Sequence, residues 1–263
     1  MPTKFALAKL DMAASDGAPF TFYFDGNGKV TRENGYFDKP VPNAFSLVQV
    51  QDCPYATPLC ESVCYVHKLE KAEEEIHAAY RQNSVTIKKI LENDVWFWSG
   101  VYTFSDWISK NCPKGFRWHN SGDIVSIEHA VFVREVCVNA PSVPFWIYTR
   151  SFPYILPLLD PLPKNLVINL SADKDNYSEA FRLHRRFRLR ICYLTVAGEV
   201  PYDLPDGSVI FPSYELRGRD LPCPTDAPWW KFISKRERQM VCPPDFFGQS
   251  ENLRCGPCQK CLI

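Results

Sequence analysis

The stretch GFRWHNSGDIVSIEHAVFVREVCVNAPSVPFWIYTRS (115–151) decides the fold. It reads as strand, helix, strand. GFRWHNSGD (115–123) is a short apolar run ending in a polar cluster. SIEHAVFVREVCVNA (126–140) is an amphipathic helix with Ser126 as its N-cap. VPFWIYTRS (143–151) is the next strand. Short buried strands separated by a helix predict a parallel βαβ unit with a right-handed crossover.

The alternation continues towards the C-terminus. A Pro-broken helix, YILPLL, follows, then the strand NLVINLSAD (165–173). SEAFRLHRRF (178–187) is a helix with Ser178 as cap, LRICYLTVAGE (189–199) a strand, and DGSVIFPSYE (206–215) one more. Towards the N-terminus, VWFWSGVYTFSDWISK (95–110) and HKLEKAEEEIHAAYRQNSVTIKKILEN (67–93) are helical, and EKAEEE is a solvated face. NAFSLVQVQ (43–51) reads as a strand delivering Cys53, and PFTFYF (19–24) as a strand entering a turn at DGNGKV (25–30). The units are too few for an eight-fold barrel. The expected fold is α/β: a partial (β/α) barrel or a curved, mostly parallel sheet with outer helices and a cysteine-rich C-terminal tail. No GxGxxG follows a strand, which argues against dinucleotide binding. The chain reads as one domain over 1–263. It divides into N-terminal strands (1–50), a core with a cysteine loop (51–215) and a metal-binding tail (216–263).

Composition narrows the function. Lys+Arg and Asp+Glu are 30 each, so global charge points to neither nucleic acid nor an anionic membrane. The basic run RLHRRFRLR (182–190) keeps nucleic acid open as a partner, although a solvated helix face accounts for it. No apolar run approaches the roughly 20 residues that span a bilayer. The N-terminus does not read as a signal peptide, so a cytoplasmic location is expected.

The cysteines carry the sharpest signal. There are 11, an odd number, which disfavours a disulfide framework. Seven fall in two groups. CPYATPLCESVC (53–64) supplies Cys53, Cys60 and Cys64; the chain end supplies Cys242, Cys255, Cys258 and Cys261. Pro54 and Pro58 keep the first part of the loop out of a helix, while Cys60 and Cys64 share a helix face. Two-residue spacers in CGPCQKC let successive thiolates converge on one centre. Both groups are expected to bind metal as [4Fe–4S] clusters, one or two in number. Zinc is the alternative at the tail. Cys137 and Cys192 sit in apolar runs and read as small buried thiols. Cys112 and Cys223 are scattered.

In parallel α/β folds the functional rim lies at the carboxyl ends of the strands. Those ends hold His119, Asn120, Ser121 and Asp123; Tyr148, Thr149, Arg150 and Ser151; Asn169, Ser171 and Asp173; and Thr195 and Glu199. Asp123, Arg150 and Asp173 are the catalytic candidates, with Arg150 able to grip a carboxylate or phosphate. Asn120, Ser121, Gly122 and Glu199 are the cofactor-binding candidates.

CPYATPLCESVCY, HNSGD, YTRS, LSAD, GNGK and the terminal CP…CGPCQKC together resemble the phage gene product 88 family over residues 25–261. The resemblance implies a phage or prophage origin. More loosely, a three-cysteine loop and Ser121-Gly122-Asp123 are similar to radical SAM enzymes, though the spacing here is CxxxxxxCxxxC rather than CxxxCxxC. That likeness implies an open iron, S-adenosylmethionine as cofactor and an unidentified substrate. A non-catalytic module that binds a host or phage partner through metal-stabilised structure is the competing expectation.

Overall fold

The computed structural model describes residues 7–26, 42–64, 66, 74–218, 221–247, 258 and 261. Its strands are β1 (Leu7–Ala13), β2 (Pro19–Gly26), β3 (Pro42–Phe45), β4 (Phe116–Trp118), β5 (Phe145–Thr149), β6 (Leu166–Ala172), β7 (Arg190–Thr195) and β8 (Val209–Pro212). They form one eight-stranded sheet in chain order. β1–β2 and β2–β3 are antiparallel; β3–β4, β4–β5, β6–β7 and β7–β8 are parallel. β1 and β8 are its edges, so the sheet is open and does not close into a barrel. At the coarser level, the expected mixed α/β sheet with helices is present.

The chain divides into two compact units. The first comprises Met1–Ala56, Cys64–Ile147 and Ser151–Val167; the second comprises Thr57–Val63, Tyr148–Arg150 and Ile168–Ile263.

The first unit is built on aromatic residues. Alternation along β2 turns Phe20, Phe22 and Phe24 inward, each buried. Phe22 and Phe24 meet Phe45 and Phe104, and Phe24 also meets Phe116, mostly edge to face; Phe45 and Phe104 in turn meet Trp118, with Phe104 and Trp118 stacked at centroids 6.2 Å apart. Phe104 comes from the helix Asp94–Asn111, whose N-cap Asn93 accepts the Trp96 amide at 3.0 Å. The expected helix over 126–140 runs Ile127–Asn139, and Ser126 caps it by accepting the His129 amide at 3.1 Å.

Two local expectations change. The strand predicted over 43–51 ends at Phe45. Ser46 Oγ there donates to Asp25 and accepts the amides of Asn120 and Ser121, and Val50 turns the chain with φ of 60°. Hydrogen bonds of the Ser46 side chain with distant segments therefore interrupt the strand here. In the second unit, the helix predicted over 178–187 begins one residue earlier: it runs Tyr177–Phe187 with Asn176, not Ser178, at the N-cap. Asn176 Oδ1 instead accepts the Asp173 amide at 2.8 Å. The helix predicted over 67–93 is described as Glu74–Leu91. Residues 27–30 of the turn predicted over 25–30, residues 67–73 and Cys255 lie outside the described residues.

Candidate functional site

In the second unit, two predicted strand-end residues meet. Arg150 follows β5 and Asp173 follows β6. Arg150 Nη1 donates to Asp173 Oδ2 at 2.7 Å, and both side chains are buried. The Thr57 hydroxyl also donates to Asp173 Oδ2, while Asp173 Oδ1 accepts the Asp175 amide at 2.9 Å. Thr57 in turn is the N-cap of the short helix Pro58–Ser62, accepting the Cys60 amide at 3.1 Å. Thr before Pro is a helix-start signal that could have marked this residue from sequence. The result ties the helix turn that carries Cys60 to two strand ends. Both carboxylate oxygens of Asp173 are engaged, which suits positioning better than proton transfer.

The HNSGD segment belongs to the first unit and is occupied in a different way. Asp123 is buried; Oδ1 accepts the Ile124 amide at 2.7 Å and Oδ2 the Ser151 amide at 3.2 Å. Its own amide donates to the Asp52 carbonyl at 2.8 Å. Asn120 Nδ2 donates to Asp25 Oδ2 at 3.2 Å. Asp25 also accepts from Ser46 and Tyr80, yet burial pushes its carboxyl up from the ordinary range. The Ser121 carbonyl accepts the Leu47 amide at 2.9 Å, and the Ser121 hydroxyl is buried without a partner among the described residues. Gly122 has φ of +75°, and a Cβ there would stand 2.5 Å from Leu47 Cβ. The positive φ and the close approach of Leu47 both favour glycine here. Glu199, after β7, is exposed.

The first residue of the HNSGD segment, His119, lies with its ring centroid 5.0 Å from that of His129. Burial draws His129 down to about 3, and burial with the neighbouring His129 and Arg117 draws His119 well below the ordinary imidazole value.

The loop cysteines are divided. Cys53 and Cys64 are in the first unit and Cys60 in the second. Cys64 Sγ donates to Gln49 Oε1 at 3.3 Å and packs against Val48, Val66, Ile76 and Tyr80.

The tail cysteines reach the second unit's sheet. Cys242 is buried, and its amide donates to the Ile210 carbonyl at 2.8 Å beside a parallel bridge of Val241 to Ile210. Cys242, Cys192 and Val209 form one buried cluster, with Tyr148, Phe211 and Cys261 against it. Asn169 Nδ2 donates to the Cys261 carbonyl at 3.2 Å. Cys258 is half-buried. Among the described residues, no three His, Cys, Asp or Glu side chains stand so as to hold a metal ion. The ten described cysteines are thiols rather than disulfides.

A family model described as "Gene product 88" matches residues 21–262. The chain belongs to the gene product 88 family. Its relatives include the gene 88 protein of Mycobacterium phage L5, 32% identical over 145 residues, covering 53% of this chain and 61% of that protein. The gene 88 protein of Mycobacterium phage D29 is 30% identical over 190 residues, covering 69% of this chain and 76% of that protein. The phage origin implied by the motifs is thereby supported. The looser likeness to radical SAM enzymes gains no support from these matches. No solved structure matches the chain. Among the described residues, no helix is long and apolar enough to cross a membrane.

Proposed function

We propose that this gene product 88 protein holds a thiolate-ligated metal centre, of iron–sulfur type, through Cys242, Cys255, Cys258 and Cys261. The observation that carries this reading is the meeting of Cys242 and Cys261 in one cluster on β7 and β8. Nineteen positions of chain separate them, yet both are brought to the same apolar patch. An apolar surround limits solvent access, which favours a retained centre. Four thiolates also complete a zinc site, so the metal is decided by experiment. Full-length protein purified without oxygen is analysed for iron, sulfide and zinc, with its visible spectrum. Brown protein with iron and sulfide is expected. Colourless protein with zinc replaces the iron reading, and metal-free protein removes both.

The radical SAM-like version is a second reading, favoured by the anchored helix turn that carries Cys60. In it, Cys53, Cys60 and Cys64 hold a [4Fe–4S] cluster whose open iron binds S-adenosylmethionine. Arg150, Asp173 and Thr57 act as positioning residues by fixing the start of the Cys60 helix. Asp123 fixes the HNSGD segment by accepting two backbone amides. Asn120, Ser121, Gly122 and Glu199 remain the candidates for cofactor contact. Binding of S-adenosylmethionine to anaerobically reconstituted protein, read by equilibrium dialysis, tests this version. No binding by iron-loaded protein sinks it and leaves a non-catalytic module that binds a host or phage macromolecule.

A further inference from the structure

We propose that the outer face of the helix Tyr177–Phe187 binds single-stranded nucleic acid, with its arginines gripping the phosphodiester backbone. Ala180 and Leu183 are buried and form the inner face of this helix. On the other side, Ser178, Phe181, Arg182, Arg185 and Arg186 line an open hollow of about 430 Å³. Their spacing of three and four residues sets them on one face. Ser178 and the three arginines are exposed, and Phe181 is half-buried among them.

The charge on this face is of one sign. The run RLHRRFRLR (182–190) holds five arginines, one histidine and no carboxylate, in a chain whose formal charges balance. Glu179 reaches Arg182 at 3.5 Å, but both side chains are well exposed and such a pair holds little. Arg186 lies over the Phe187 ring at 4.8 Å. Among the described residues, Arg185 and Arg186 pair with no carboxylate. Cations in the last turn complement the helix dipole, which accounts for Arg185 and Arg186 but not for Arg182 at mid-helix. A solvated face needs cations of no particular kind. Here each is an arginine, whose planar fork bonds a phosphate through two N–H groups. Phe181 decides for an unpaired strand. Its ring lies beside that of His184, with centroids 6.3 Å apart and 21° between planes, so the two form one aromatic strip. An unpaired base can lie on that strip, whereas the bases of a duplex are stacked away from it.

The test uses the full-length protein, purified without oxygen, and the fluorescence anisotropy of a labelled oligothymidylate over a series of salt concentrations. Arg182→Gln, Arg185→Gln and Arg186→Gln together are expected to weaken binding at least about 10-fold at low salt. They should also lower the slope of log affinity against log salt by about 2. Phe181→Leu keeps an apolar side chain and is expected to weaken binding about 5-fold or more with the slope unchanged. Lys9→Gln, Lys110→Gln and Lys231→Gln remove the same charge from exposed sites elsewhere, and together they should change affinity by less than about 3-fold. Circular dichroism and thermal melting check folding. If the triple arginine variant does not fold, Arg185→Gln is read in its place, with a slope lowered by about 0.7. A wild type that binds no oligothymidylate overturns the proposal. So do arginine variants that bind as the wild type does, or a lysine variant that loses as much affinity as they do. Tighter binding to a duplex of the same length, or to vesicles of phosphatidylcholine and phosphatidylserine, overturns it as well. None of these outcomes bears on the metal reading, which is tested by metal content.

Discussion

Buried cysteines keep different company in the two units. In the first, Cys112 donates its thiol to the Pro42 carbonyl, and burial pushes it up to about 12. Burial also raises Cys137. Such thiols stay protonated near neutral pH and act as small apolar side chains. In the second unit, Cys192, Cys242 and Cys261 share one patch. The strand-end aspartates differ in the same direction. Asp123 accepts two backbone amides in the first unit, whereas Asp173 accepts a guanidinium and a hydroxyl beside one amide in the second. One aspartate thus holds backbone amides, and the other joins a local amide to side-chain donors from separate chain segments.

The largest expected effect comes from breaking the Arg150–Asp173 pair. Asp173→Ala leaves a buried guanidinium without its carboxylate, a loss of roughly 3–5 kcal/mol for a buried pair. Asp123→Asn removes charge but keeps an acceptor, and should cost about 1–3 kcal/mol. Urea unfolding of the two variants reads the difference. Equal losses would erase the contrast between the strand ends.

Gly122→Ala sharpens the same contrast from the first unit's side. Its φ of +75° and the 2.5 Å approach to Leu47 predict a loss of about 1–3 kcal/mol by overpacking and backbone strain. A Gly122→Ala protein as stable as wild type would show that neither the φ nor the Leu47 approach constrains this position.

The first unit should also carry an acid sensitivity. His129 is held near 3 in the folded chain against an ordinary 6.5, so the unfolded chain takes up the proton first. Stability is then full above pH 6.5 and falls as pH drops, by about 1.4 kcal/mol per pH unit for this residue. Asp25, with its raised carboxyl, works in the opposite direction above its ordinary 3.8. His129→Asn should flatten the slope between pH 6 and about 4. An unchanged slope would place the acid sensitivity elsewhere.

Much of the fold was legible in the sequence because periodicity and caps are local. Ser126 and the runs at 115–123, 143–151 and 165–173 fall on the elements they predict. The strand over 43–51 was not, because Ser46 is diverted by Asp25, Asn120 and Ser121, partners 21, 74 and 75 positions away. Arg150 and Asp173 were legible as strand-end residues, but their engagement by each other was not. Nor was Thr57's bond to Asp173, formed across 116 positions. Cys192 carried no sign of its neighbours, since only the pairing of β7 with β8 and the return of the tail bring them together.

The most direct test of the contrast is metal content per chain after purification without oxygen, in two double variants. The account predicts that Cys112→Ser with Cys137→Ser keeps the wild-type iron and sulfide, and that Cys242→Ser with Cys261→Ser loses them. Equal metal in both variants, or none in the wild type, would contradict it.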